Sequence, residues 1–139
     1  MNALEIVTKL DKEICGGELA KAAAYLADDF HFVGVAPQPL NKDQALGVWA
    51  TIRAGLPDFS HNMSNVRETA NIVYATVEAG GTHTGTLAIP NGPTVPATQR
   101  RWRNPLERIA ITVRDGKVKE WAVESVPGGG IAGLLGQLT

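Results

Sequence analysis

Three histidines, three tryptophans and a short run of arginines carry much of the chemistry open to this 139-residue chain. Imidazole titrates near neutral pH and can donate or accept a proton, so each histidine is a candidate acid, base or ligand. His31 and His61 fall on segments expected to be strands, beside Phe30, Phe32 and Phe59. None of the three has a close ligand spacing such as His-x-x-x-His, so no metal is expected. His83 lies between Gly81 and Gly85. It can orient a carbonyl or relay a proton, or it can be a structural histidine bonded to a neighbouring strand while the glycines permit a bend. Trp49, Trp121 and Trp102, with Phe32, Tyr25 and Tyr74, supply flat apolar surface suited to an aromatic ligand. Such rings are more often core, and that is the reading for Trp49. Arg101, within Arg100-Arg101-Trp102-Arg103, can hold a ligand carboxylate through bidentate bonds or sit on a solvated edge or dimer rim. The candidate substrate-binding set is thus Trp121, Trp49, Arg101, His61 and Phe32. Asp58, following Pro57, reads as a residue that satisfies turn amides and stays a minor candidate for the site.

The bulk composition narrows what these residues can act on. Thirteen basic against 14 acidic residues give a net charge of -1, without the basic excess that binding to a phosphate backbone uses, so nucleic acid is not an expected partner. The longest uncharged stretches, Ala79 to Gln99 and Ser125 to Thr139, are interrupted by Gly and Pro, and neither reads as a membrane span. Charges near the N-terminus occupy the place where a signal peptide needs an apolar core, so no export is expected. The single Cys15 cannot close an intrachain disulfide, and a cytoplasmic location is the default. A chain of this length forms one domain, residues 1–139, with enough core to fold without disulfides.

The elements that must position the candidate residues follow from periodicity. Ala3, Val7, Leu10 and Ile14 recur at helical spacing before Gly16-Gly17 ends the run. Glu18 to Leu26 reads as a second, Ala-rich helix, and Phe30 to Val33 as a short strand. Asn41 with Gln44 three residues on has the form of a capping box and opens a third helix over roughly residues 42–54. Beyond it the period changes to two, with strands expected at about 60–68, 71–79, 82–89, 106–114 and 117–126. Asp115-Gly116 between two such runs is a two-residue hairpin signal. Helices followed by an antiparallel meander define an α+β fold.

Four segments then come together in order and rough spacing: Leu56-Pro57-Asp58-Phe59, Gly81-Thr82-His83-Thr84-Gly85, Asp115 through Trp121, and Leu134-Leu135-Gly136-Gln137-Leu138. In this the chain resembles the SnoaL-like proteins, the polyketide-cyclase-like members of the nuclear transport factor 2-like superfamily. The resemblance implies a cystatin-like cone, a strongly curved antiparallel sheet packed on N-terminal helices, with a pocket between them and usually a homodimer. It does not imply one reaction, since relatives include cyclases, isomerases, dehydratases, hydrolases and binding proteins.

Ring-closing members of the family abstract a proton beside a carbonyl with an acid on the last strand, and the carboxylate best placed for this here is Glu124. The family acid is usually an Asp a few residues beyond the aromatic, a point that Ser125 or Val126 fills in this chain. Alternation adds a constraint: Glu120, Ala122 and Glu124 share one strand face, while Trp121, Val123 and Ser125 share the other. If Trp121 faces the pocket, Glu124 does not, unless a bulge intervenes. The resulting expectation is a small-molecule enzyme transferring a proton on a carbonyl substrate, with Glu124 as base, His83 as polarising partner, and no organic cofactor. Its ligand would be small and apolar or aromatic. The alternatives are a non-catalytic binding or assembly module and, third, hydrolase or dehydratase chemistry.

Overall fold

The computed structural model describes all 139 residues. Its first helix, α1 (Ala3–Cys15), buries the stripe Ala3, Ile6, Val7, Leu10 and Ile14. The Asn2 side chain accepts a hydrogen bond from the Glu5 amide at its N-terminus. Next come the short α2 (Leu19–Ala23), strand β1 (Leu26–Val33) and the two-residue β2 (Leu40–Asn41). The capping box then forms: the Gln44 amide donates to Asn41 Oδ1 and the Asn41 amide to Gln44 Oε1, both at 2.9 Å. It opens α3 (Lys42–Gly55), which presents Ala45, Trp49 and Ile52 to the core.

Six strands build the main sheet in the order β2-β1-β10-β9-β4-β3, where β3 is Ser64–Thr69, β4 Ile72–Val77, β9 Glu107–Arg114 and β10 Lys117–Val123. Asp115 and Gly116 both adopt positive φ, 51° and 76°, and close the β9–β10 hairpin as the sequence predicts. Two small ribbons complete the chain, β5 (Gly80–Thr82) with β8 (Arg101–Arg103) and β6 (Leu87–Ala88) with β7 (Thr94–Val95). The sheet curls around α1 and α3, and one cluster of 27 buried apolar residues joins its concave face to the helices. No helix is long and apolar enough to cross a membrane.

Four elements differ from the sequence reading. The second helix stops at Ala23, because Leu26 is already paired with Val118 and the Tyr25 carbonyl accepts from the Val118 amide. The first strand therefore begins at Leu26 and pairs with β10 in parallel, so the sheet that the resemblance implies to be antiparallel contains one parallel pair. The strand expected at 82–89 breaks after Thr82, where the Gly85 amide leaves the ladder and donates to the Gly55 carbonyl. Finally, the glycine-rich C-terminus, given no element above, is helical. It forms α4 (Gly130–Leu138), with Leu134 and Leu138 buried.

Candidate functional site

The concave face of the sheet, α3 and the start of α4 enclose a cavity of about 70 Å³. Its wall is mainly aromatic and aliphatic. Phe32 stands against Trp49 with ring centroids 4.9 Å apart, Trp49 meets Trp121 edge-on at 5.7 Å, and Phe59 stacks on Trp102 at 6.0 Å. Three polar side chains interrupt this lining: His61, Asn104 and Glu107. Asn104 is fully used, accepting from Trp102 Nε1 at 2.7 Å and donating to the Gly130 carbonyl at 3.0 Å, which ties β8 to the start of α4.

Glu107 is the first residue of β9, and it is buried with its Oε2 free of any hydrogen bond. Burial pushes its pKa above the usual carboxylate value, against a smaller downward pull from the Gly130 amide. The backbone around it is tight, since a Cβ on Gly129 would stand 2.6 Å from Glu107 Oε2. Glu107 also faces a second and larger groove of about 870 Å³, lined by the loops around Pro37, Asn91 and Gly129. Val35, Val48, Glu107, Gly130 and Ile131 border both spaces. Together the two reach the size of ordinary ligand sites, roughly 300–1,000 Å³. The carboxyl stands where they adjoin.

His61 is held from the side of α1. Its Nδ1 lies 2.6 Å from Asp11 Oδ1 and 3.7 Å from Cys15 Sγ, while Nε2 makes no hydrogen bond to protein. Burial disfavours the charged ring, but the hydrogen bonds to Asp11 and Cys15 and the negative charge of Asp11 outweigh it and push the pKa to about 9. At neutral pH the ring is therefore a cation at the edge of an apolar cavity. Asp11, Cys15 and His61 form the group of donors able to hold a metal, each within 4.8 Å of the others.

The residues singled out from the sequence divide between this site and other places. Trp121, Trp49, His61 and Phe32 line the cavity. Glu124 is exposed and borders the opposite face of the sheet with Ala122 and Arg108, as strict alternation from Trp121 requires. The one register irregularity in the β9–β10 pair lies between Val118 and Glu120, too early to turn Glu124 inward. His83 is fully buried outside the cavity lining, where its Nδ1 meets Thr98 Oγ1 at 2.9 Å and accepts from the Thr98 amide. Glu124 and His83 therefore share no cavity. Arg101 is exposed on the outer ribbon near Asp58, and Asp58 binds the Thr82 amide and hydroxyl at 2.6 and 2.9 Å. Those bonds, the amide first, hold the Asp58 pKa below its usual value, consistent with a turn-stabilising carboxylate. His31 is exposed on β1.

Glu107 escaped the sequence reading although a signal for it exists. It shares the buried face of β9 with Ile109, Ile111 and Val113, the even spacing that marks one side of a strand. A carboxylate in that register is a charge on the core face.

The sequence matches the family model of the SnoaL-like domain over residues 10–121, and the chain belongs to that family. Solved structures agree in fold. A protein of Jannaschia sp. CCS1, named as a candidate SnoaL-like polyketide cyclase, is 17% identical, with 98% of this chain and 90% of that one covered at a TM-score of 0.74. IdmH from Streptomyces antibioticus, named as a candidate polyketide cyclase, is 24% identical over 96% of this chain and 99% of its own, at 0.72. A Catenulispora acidiphila protein described as having a ketosteroid isomerase-like fold, solved with trimethylamine, is 14% identical over 96% and 92%, at 0.69. No curated protein matches the sequence.

Proposed function

We propose that this protein is an enzyme that moves a proton on a small, largely apolar carbonyl compound, with Glu107 as the base. The observation that carries this reading is the Glu107 carboxyl itself, buried with one oxygen unpartnered where the apolar cavity meets the larger groove. A stranded carboxyl is costly to a fold, and it becomes useful when a substrate proton completes it. A raised pKa also makes it a stronger base near neutral pH.

In the proposed step the Glu107 carboxylate takes a proton from the carbon beside the carbonyl. The C–H electrons move to the carbonyl oxygen as an enolate. His61, kept positive by Asp11, donates to that oxygen, and the new Glu107 carboxylic acid returns the proton to the same or a neighbouring carbon. Phe32, Trp49 and Trp121 would hold the apolar body of the substrate. Names of similar proteins as candidate polyketide cyclases and the ketosteroid isomerase-like fold of another agree with carbonyl chemistry of this kind. A cytoplasmic location and a homodimer belong to the same proposal, and light scattering on the purified protein tests the second.

The test is hydrogen–deuterium exchange beside the carbonyl of an aryl ketone such as 2-tetralone, followed by NMR in deuterium oxide. The wild-type protein should accelerate exchange, and Glu107→Gln should lower that acceleration by about 10²–10⁴-fold, the usual worth of a positioned acid or base. Glu124→Gln should leave it unchanged. Equal exchange in wild type and Glu107→Gln removes the base from Glu107. Ligand binding without exchange in either protein replaces the enzyme with a binding module.

A further inference from the structure

We propose that Asp11, Cys15 and His61 form a binding site for a divalent transition metal of the zinc class at the junction of α1 with the cavity wall. Asp11 and Cys15 are four residues apart on α1, one helical turn, so the carboxylate and the thiol project from the same face. His61 comes from the far side of the chain, on the segment between α3 and β3. Its backbone is fixed there, since its carbonyl accepts from the Glu78 amide. The Arg53 guanidinium donates to the Cys15 carbonyl and pins the end of α1.

The three donor atoms are close to the spacing an ion needs. A tetrahedral zinc with about 2.3 Å to sulfur and about 2.0–2.1 Å to nitrogen or oxygen holds its ligands roughly 3.3–3.6 Å apart. Cys15 Sγ is 3.6 Å from Asp11 Oδ1 and 3.7 Å from His61 Nδ1. The remaining separation, Nδ1 to Oδ1, is 2.6 Å, because a proton bridges the two atoms. An ion that replaces that proton needs the pair to open by roughly 0.7 Å, a side-chain rotation and not a change of fold.

The donor set also selects the class of ion. One thiolate, one imidazole and one carboxylate suit zinc or cobalt, whereas calcium and magnesium favour oxygen ligands alone. Thiolate and carboxylate together neutralise a divalent ion, so no net charge is left partly buried. Binding releases two protons to solvent, one from the thiol and one shared by His61 and Asp11, with no oxidation or reduction. Three protein ligands leave a fourth position for water, the open arrangement of reactive rather than purely structural zinc sites.

This site shares His61 with the proposed proton transfer but does not need Glu107, and it is tested without any substrate. The metal-free protein is titrated with cobalt(II) under reducing conditions, and absorption is followed from the near-ultraviolet to the visible. One equivalent should produce a thiolate-to-cobalt charge-transfer band together with the strong visible bands of a four-coordinate ion, and zinc should bleach both. Cys15 is the chain's single cysteine, so a thiolate band has one source. Cys15→Ser should abolish the band. Asp11→Asn should weaken cobalt binding by more than the about 10–100-fold that loss of a supporting outer-shell group costs. Glu107→Gln should keep the whole spectrum. Circular dichroism on each variant separates lost ligation from lost folding. No saturable spectrum with wild-type protein, or cobalt bound without a thiolate band, overturns the proposal.

Discussion

At the scale of single residues, the chemistry of the site reduces to two groups whose protonation the fold has moved in the same direction for opposite reasons. His61 holds its proton more tightly because Asp11 and Cys15 hydrogen-bond the ring, and Glu107 does so because burial penalises its charged form by more than the Gly130 amide favours it. The second case makes a prediction about stability. The folded-state pKa of Glu107 lies above the ordinary carboxylate value, so the folded chain binds this proton more tightly than the unfolded chain. Its contribution is fully present below the unfolded pKa and is lost as pH rises through the folded one. Glu107→Gln should therefore melt at a higher temperature than wild type at about pH 8, and the difference should shrink towards zero below about pH 4. Calorimetry across that range checks it. A variant that melts lower than wild type at high pH would mean that the carboxylate is stabilised in the fold, against the burial argument.

At the scale of elements, legibility followed locality. The Asn41–Gln44 capping box and the Asp115-Gly116 turn are encoded within four residues and appear in the structure as read. Asn41→Ala removes an accepted bond at the start of α3 and should cost about 0.5–2 kcal/mol, measurable by urea unfolding with an unchanged slope. The parallel pairing of β1 with β10 joins segments from opposite ends of the chain, and nothing local announces it. Helix α4 was hidden for another reason. Ile131, Leu134, Leu135 and Leu138 have helical spacing, but Gly128 to Gly130, Gly133 and Gly136 lower the intrinsic propensity, and burial against the cavity wall overrides it. The site divides in the same way. Aromatic lining residues were readable as apolar surface, and the alternation that carries Trp121 inward correctly sends Glu124 outward. The cluster of Asp11, Cys15 and His61 depends on a helix and a distant loop meeting, which spacing along the chain does not encode.

At the scale of the molecule, the site and the core are one structure. The same apolar cluster that joins α1 and α3 to the sheet includes Trp49, Trp121, Phe32 and Leu134, all of which also face the cavity. A perturbation of the cavity wall is then a perturbation of the whole fold, and α4 offers the sharpest test because it lies at the very end of the chain. If α4 were an appendage, it would melt on its own. Leu134 is only 1% exposed within the common cluster, however, so its contacts are lost only when the sheet and helices part. Leu134→Ala should lower stability by about 2–5 kcal/mol, the usual range for a buried leucine truncated to alanine. For a domain of this size that corresponds to a fall in Tm on the order of 10 °C. The transition should stay single, with equal calorimetric and van't Hoff enthalpies and coincident unfolding by far-ultraviolet dichroism and tryptophan fluorescence. An early transition in the dichroism alone, with fluorescence unmoved, would show that α4 opens independently and gates the cavity without supporting it.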